Sequence, residues 1–134
     1  MGPKRKPSPQ LTRLELQIME VLWNIGAATV QEVQSSITGE PLAYTTVQTM
    51  LNILHRKGRV KRKLVGKAYT YSPVLSRDKA VRDAVAEMVN RLFGGSVEAL
   101  VMNLFKTKQI DAKKLKELNE LVGKRQREEE DGRD

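Results

Sequence analysis

The spacing of apolar residues loses its helical period at Gly58, and that change constrains the fold more than any other feature of the chain. Before it, apolar residues recur at helical spacing. Arg59–Val65 and Ala68–Ser72 are instead two short runs of β-compatible residues on either side of Gly66-Lys67. The chain must therefore lay down helices first and a hairpin second. Glycine at the first central position of a two-residue turn suits type II′, whose twist matches that of the flanking strands. In that register 64 faces 69 and 62 faces 71. Val60, Arg62 and Leu64 then share a face with Tyr69 and Tyr71, while Lys61 and Lys63 share the other with Thr70 and Ser72. The aromatic face is expected to pack on the helices and leave the lysines, with Lys67 at the tip, in solvent. Arg62 must stack on a tyrosine or reach out past it.

The helices before Gly58 announce their own starts. Thr12-Arg13-Leu14-Glu15 and Thr29-Val30-Gln31-Glu32 are both Thr-x-x-Glu capping boxes, in which the threonine hydroxyl and the glutamate satisfy backbone donors reciprocally. Leu14, Ile18, Leu22 and Ile25 follow the first box at helical spacing, with Gly26 as its stop and Leu11 and Leu16 placed as a hydrophobic staple. Val30, Val33 and Ile37 form the stripe of a short second helix. A third helix starts near Thr45, with Val47, Met50, Leu51 and Leu54 inward and Thr45, Thr49, Asn52 and Arg56 outward. Ordinary solvent faces carry Lys and Glu, which are good helix formers. This face carries no acid, and its short polar side chains are of the kind that meet base edges in a major groove.

Charge agrees with that placement. Residues 1–75 hold 11 Lys+Arg against 4 Asp+Glu, and residues 76–134 hold 13 against 12. Seven of the basic residues lie between Arg56 and Lys67, on the end of the third helix and the hairpin. Three helices followed by a basic hairpin predict a winged helix, in which the third helix enters the major groove and the wing touches the flanking backbone. Thr45, Thr46, Thr49 and Asn52 are the expected base-reading residues, and Arg56, Lys61, Lys63 and Lys67 the expected backbone contacts.

The rest of the chain differs in kind. Asp78–Phe93 is expected to be helical, with Val81, Val85, Met88, Val89 and Leu92 on one stripe and Gly94-Gly95 as its break. Ser96 can cap a helix carrying Val97, Leu100, Val101, Leu104 and Phe105. Asp111 can cap another carrying Leu115, Leu118, Leu121 and Val122, ended by Gly123. So small a segment is poorly placed to bury these stripes alone. A second copy of the chain is the expected cover, through Val85, Met88, Leu92, Leu100, Leu104 and Leu118. The expected organisation is a disordered basic arm at 1–10 and a winged helix-turn-helix DNA-binding domain at 11–75. A three-helix dimerisation segment follows at 76–123, with a charged, frayed tail at 124–134. The fold class is mostly α with a small β-hairpin wing.

Composition removes other functions. The chain lacks cysteine and has one histidine, so thiol catalysis and Cys- or His-rich metal sites are excluded, and neither enzyme activity nor a cofactor is expected. His55 sits where a helix-end side chain near the C-terminal dipole is sufficient explanation. No run approaches the 18 or so apolar residues of a membrane span, and the basic N-terminus lacks the apolar stretch of a secretory signal, which points to a cytoplasmic protein. Two classes of partner remain: an operator in double-stranded DNA, or nucleic acid bound without regard to sequence by an architectural DNA or RNA module.

The runs LTRLELQIMEVLWNIGAATVQEVQ, LAYTTVQTMLNILHRKGRVKRK and GKAYTYSPVLSRD resemble the penicillinase and methicillin-resistance repressors. The resemblance extends over roughly residues 11–122 and is most specific in E-x-x-I-M-x-x-L-W, A-Y-T-T-V-x-T-x-L and Y-x-Y-S-P, in that order. It implies a dimeric repressor on an inverted-repeat operator, controlling β-lactam-resistance or cell-wall-stress genes. It places Thr45, Thr46 and Thr49 at the DNA-facing start of the third helix. It also implies release by a sensor-activated protease that cuts between Asn and Phe in the second C-terminal helix. Here Asn103 is followed by Leu104, a departure at the cut itself. The copper-responsive branch of that family senses metal through C-terminal cysteines, which this chain lacks.

Overall fold

Helices α1 (Arg13–Ile25), α2 (Val30–Ser36) and α3 (Tyr44–Arg56) precede an antiparallel hairpin of β1 (Val60–Val65) and β2 (Ala68–Pro73) in the computed structural model, which describes residues 10–132. Helices α4 (Arg77–Phe93), α5 (Val97–Lys106) and α6 (Ala112–Asp131) follow. Both threonine boxes close as expected. The Thr12 and Thr29 hydroxyls accept from the Glu15 and Glu32 amides, and both glutamates reach back to the capping backbone. Gly26 ends α1 at φ +95°, a conformation that costs glycine nothing. The hairpin register is the expected one, with Leu64 opposite Tyr69 and Arg62 opposite Tyr71. Gly66 has φ +65°, whereas Lys67 keeps a negative φ, as a II′ turn requires.

The chain divides into two compact units, one up to Glu87 and one from Met88. In the first, Ile18, Met19, Leu22, Val33, Val47, Leu51 and Leu54 are buried between the three helices, and Val60 and Tyr71 close the cluster from the hairpin. The linker before α2 adds an isolated bridge to the free edge of β2. Ala28 and Tyr71 exchange both backbone hydrogen bonds, at 2.9 and 2.8 Å. Trp23 packs at the edge of the cluster, and its Nε1 donates to the Leu75 carbonyl at 2.8 Å. This unit runs past the boundary expected at residue 75. Ala80 packs against its core, and the Gln10 amide donates to the Ala84 carbonyl. Val85 therefore belongs to this unit, not to the C-terminal segment in which it was expected.

Within the second unit, Gly94 and Gly95 adopt positive φ and break α4, and the Gly95 amide donates back to the Val89 carbonyl. Ser96 and Asp111 cap α5 and α6 as expected. Gly123 does not end the last helix, which continues to Asp131. A lone glycine inside a helix costs only about 1 kcal/mol relative to alanine. The residues after it, from Lys124 to Glu130, are good helix formers, so the expected frayed tail is helical through Asp131. The basic arm expected at 1–10 lies, except for Gln10, outside the described residues, as do positions 133 and 134.

Candidate nucleic-acid interface

The outer face of α3 follows from the burial of the inner one. Val47, Leu51 and Leu54 are fully buried, so a 3.6-residue repeat turns Thr45, Thr49, Asn52 and Arg56 outward, and all four are exposed. Thr46 is half-buried beside them. The N-cap of α3 is Ala43, which offers no side-chain acceptor, and the first turn carries no acid. The amides at this end are left for an outside acceptor, and the helix dipole favours an anionic one.

The hairpin supplies the cations. Lys61 and Lys63 project from one face of β1 and Lys67 from the turn, all three exposed. None makes an ion pair among the described residues. The other face packs only at its base. Val60 and Tyr71 are buried, whereas Leu64 and Tyr69 toward the tip stay exposed, contrary to the expectation that the whole aromatic face packs on the helices. The hairpin outruns the helices that could cover it. Arg62 takes the stacking solution, its guanidinium lying 4.3 Å from the centroid of the Tyr69 ring.

Of the seven basic residues between Arg56 and Lys67, Lys57 is committed inward. Its Nζ lies 3.1 and 3.3 Å from the two carboxylate oxygens of Glu15, which is 1 % exposed. Burial pushes the Glu15 carboxyl up. The Thr12 backbone donor, the Lys57 ammonium and the Thr12 hydroxyl together outweigh it, and hold the carboxyl below the ordinary glutamate value. One side chain thus caps α1 and anchors the C-terminal end of α3. The capping box made Glu15 visible as a cap, but its partner lies 42 positions away and no local pattern signals it.

Asn52 is likewise engaged. Its Oδ1 accepts from Arg62 Nη1 at 3.3 Å and from Tyr71 Oη at 3.4 Å, tying the middle of α3 to the hairpin. The structure brings further side chains to the same surface. Tyr44 and Gln48 line a cleft of about 280 Å³ with Gln31, Lys67 and Tyr69. The exposed Tyr44, one turn before Gln48, was the available signal for them. Thr45, Thr49 and Asn52 thus lie along the outer face of α3, which meets the Arg62–Tyr71 side of the hairpin, whereas Lys61 and Lys63 project from the hairpin's other side.

Asn103 and Leu104 lie within α5, Asn103 exposed and Leu104 half-buried. Met88, Leu100 and Leu104 are half-buried, and Leu92 and Leu118 are exposed. Among the described residues no helix is long and apolar enough to cross a membrane.

A model of the penicillinase repressor family matches residues 11–124 of this chain. The penicillinase repressor of Bacillus licheniformis is 25% identical over 121 residues, an alignment covering 87% of this chain and 92% of the relative. The penicillinase repressor of Staphylococcus aureus is 23% identical over 114 residues, covering 84% and 90%. Among solved structures, the DNA-binding domain of the repressor BlaI is 28% identical and superposes with a TM-score of 0.48, over 56% of this chain and 93% of that one.

Proposed function

The chain belongs to the penicillinase repressor family, a family of transcriptional repressors rather than enzymes, and from that premise we propose that it binds an inverted-repeat operator in double-stranded DNA as a homodimer. The observation that carries this reading is the outer face of α3. It is exposed, free of acid and flanked by a hairpin whose Lys61, Lys63 and Lys67 have no ion-pair partner among the described residues. Threonine methyls and hydroxyls on such a helix can read base edges, while the lysines and Arg56 neutralise phosphates on either side. Repression is steric: the bound dimer occupies the promoter. The named relatives are penicillinase repressors, which favours β-lactam-resistance or cell-wall-stress genes as the targets.

The dimer is supported by the second unit, where Leu92, Val97, Met102, Leu118 and Leu121 are all exposed in the single chain. Two copies would present two α3 helices to successive major grooves of a two-fold symmetric site. Release by a sensor-activated protease at Asn103-Leu104 would require α5 to unwind first, since proteases take extended backbone and both residues are helical. A ten-residue helix is marginal without tertiary support, so that opening is affordable.

Gel shifts at several salt concentrations test the reading, comparing promoter DNA from genes adjacent to the chain's own with random duplex and single-stranded RNA. Thr49→Ala is expected to lose about 1–3 kcal/mol of discrimination at one base position. Lys63→Ala is expected to weaken all duplexes alike and to lower the salt slope by about 1. Equal binding of the wild-type chain to all three probes would instead support an architectural module without an operator.

A further inference from the structure

We infer that Asn52 reads guanine through its amide N–H groups alone, and that Arg62 and Tyr71 impose this by occupying its carbonyl oxygen. The inference rests on the proposal that α3 reads operator DNA, and names one base and the atoms that select it. An asparagine side chain ordinarily suits adenine, because its Oδ1 accepts from the adenine amino group while its Nδ2 donates to N7. Here that oxygen is spoken for. Two donors converge on it, Arg62 Nη1 at 3.3 Å and Tyr71 Oη at 3.4 Å, which uses both lone pairs of an amide carbonyl.

Both donors are held in place. Arg62 and Tyr71 are direct cross-strand partners, so they sit on one rung of the hairpin. The Tyr71 ring is 2 % exposed and part of the core, which fixes where its hydroxyl points. The Arg62 guanidinium rests against the Tyr69 ring, 4.3 Å from its centroid, which limits where its fork can swing. Asn52 itself is exposed on the outer face of α3. What remains to it is Nδ2, a donor of two hydrogen bonds that has no acceptor among the described residues. Guanine presents two acceptors, O6 and N7, in the major groove. Adenine and cytosine place an amino group there, and a donor-only side chain cannot satisfy it. Thymine offers the single acceptor O4. Arg62 and Tyr71 are thus positioning residues for a base contact they do not make.

The test is selection of bound duplexes from a random pool by the full chain, carried out for the wild type, Asn52→Ala, Arg62→Met and the Arg62→Met/Tyr71→Phe double variant. The wild type is expected to enrich guanine at one position of each half-site. Asn52→Ala should lose that preference by roughly tenfold and keep the others. Freeing the carbonyl in the double variant should turn the same position from guanine toward adenine, a change that mere loosening of the hairpin would not produce. Tyr71→Phe keeps the buried ring and Arg62 lies at the surface, and thermal melts identify any variant that fails to fold. If the double variant is unfolded, Arg62→Met alone should relax the guanine preference and admit adenine. Uniform weakening by Asn52→Ala with every base preference intact would overturn the inference, as would persistent guanine selection once the carbonyl is free. A wild-type chain that enriches no sequence would overturn the operator reading itself, and this inference with it.

Discussion

The two units of this chain solve the problem of apolar residues in opposite ways. The first buries thirteen hydrophobic side chains in one cluster built from three helices, the hairpin and the linkers between them. The second buries only Val89 among its described residues, and leaves Leu92, Val97, Met102, Leu115, Leu118, Leu121 and Val122 exposed. Yet α5 has a more apolar composition than α1 or α3. The difference is therefore one of partners, not of hydrophobicity. A stripe becomes a core when a second surface of the same chain faces it. Where none does, the stripe stays exposed in the single chain. One unit sets the outer face of α3 on a packed core, and the other leaves its apolar stripes uncovered within the single chain.

The sharpest way to break this comparison is to disturb one apolar residue in each unit. Leu51→Ala removes a fully buried side chain from the first unit and is expected to cost about 2–5 kcal/mol, read by thermal or urea unfolding. Leu92 is 64 % exposed in the second. If its surface faced only water, Leu92→Glu would change stability by no more than about 0.5 kcal/mol. If a second copy covers it, the same substitution should turn dimers into monomers in sedimentation at micromolar concentration and abolish operator binding. A wild-type chain that sediments as a monomer there would remove the contrast altogether, and leave the exposed stripes unexplained.

A smaller effect is expected at Glu15, which tests whether the first unit relies on a polar contact as well as on its core. Glu15→Gln keeps a capping-box side chain but removes the charge that faces Lys57. The expected cost at neutral pH is about 1 kcal/mol, since Lys57 is partly exposed and can turn to water. The pH dependence has a definite sign. The folded carboxyl titrates below its unfolded value, so its contribution is complete above the unfolded pKa and fades as pH falls through the folded one. Wild type and variant should therefore converge in melting temperature as the pH is lowered below about 4. A gap that stayed constant down to pH 2 would show that the ion pair is not its source.

How much of this was legible in the sequence depends on the range of the interaction. Signals that act within four residues were readable: both threonine boxes, the glycine stop at Gly26, and the II′ turn that sets every pair in the hairpin register. The outward face of α3 was readable too, because a helical repeat with one buried side leaves only one other. Contacts between distant positions were not. The Ala28–Tyr71 bridge, the Glu15–Lys57 pair and the two donors on Asn52 join segments 43, 42 and as few as 10 positions apart, and no composition or period encodes them. The boundary between units was misplaced for the same reason. A continuous helix, α4, gives no local sign that its first turns pack with one unit and its last belong to the other. Asn52 shows the consequence for function: its residue type suggested a base reader, but only the folded hairpin shows which of its atoms remain available.

Gly123 is where local reading had a clear signal and misjudged its strength, and it yields the smallest and cleanest expected effect. Glycine after the last apolar residue of a stripe is the usual mark of a helix end, because the C-cap often needs positive φ. At Gly26 that mark is correct, with φ +95°. At Gly123 the backbone stays helical, and nothing lies within 4 Å of where a Cβ would stand. The two glycines should therefore respond oppositely to alanine. Gly123→Ala is expected to stabilise α6 by about 0.5–1 kcal/mol, seen as added helicity by circular dichroism and a higher melting temperature. Gly26→Ala should destabilise α1 and the first unit by a comparable amount, because an alanine resists positive φ. If Gly123→Ala proved neutral or harmful, α6 would end at Gly123 after all, and the second unit would lose the last two turns of that helix.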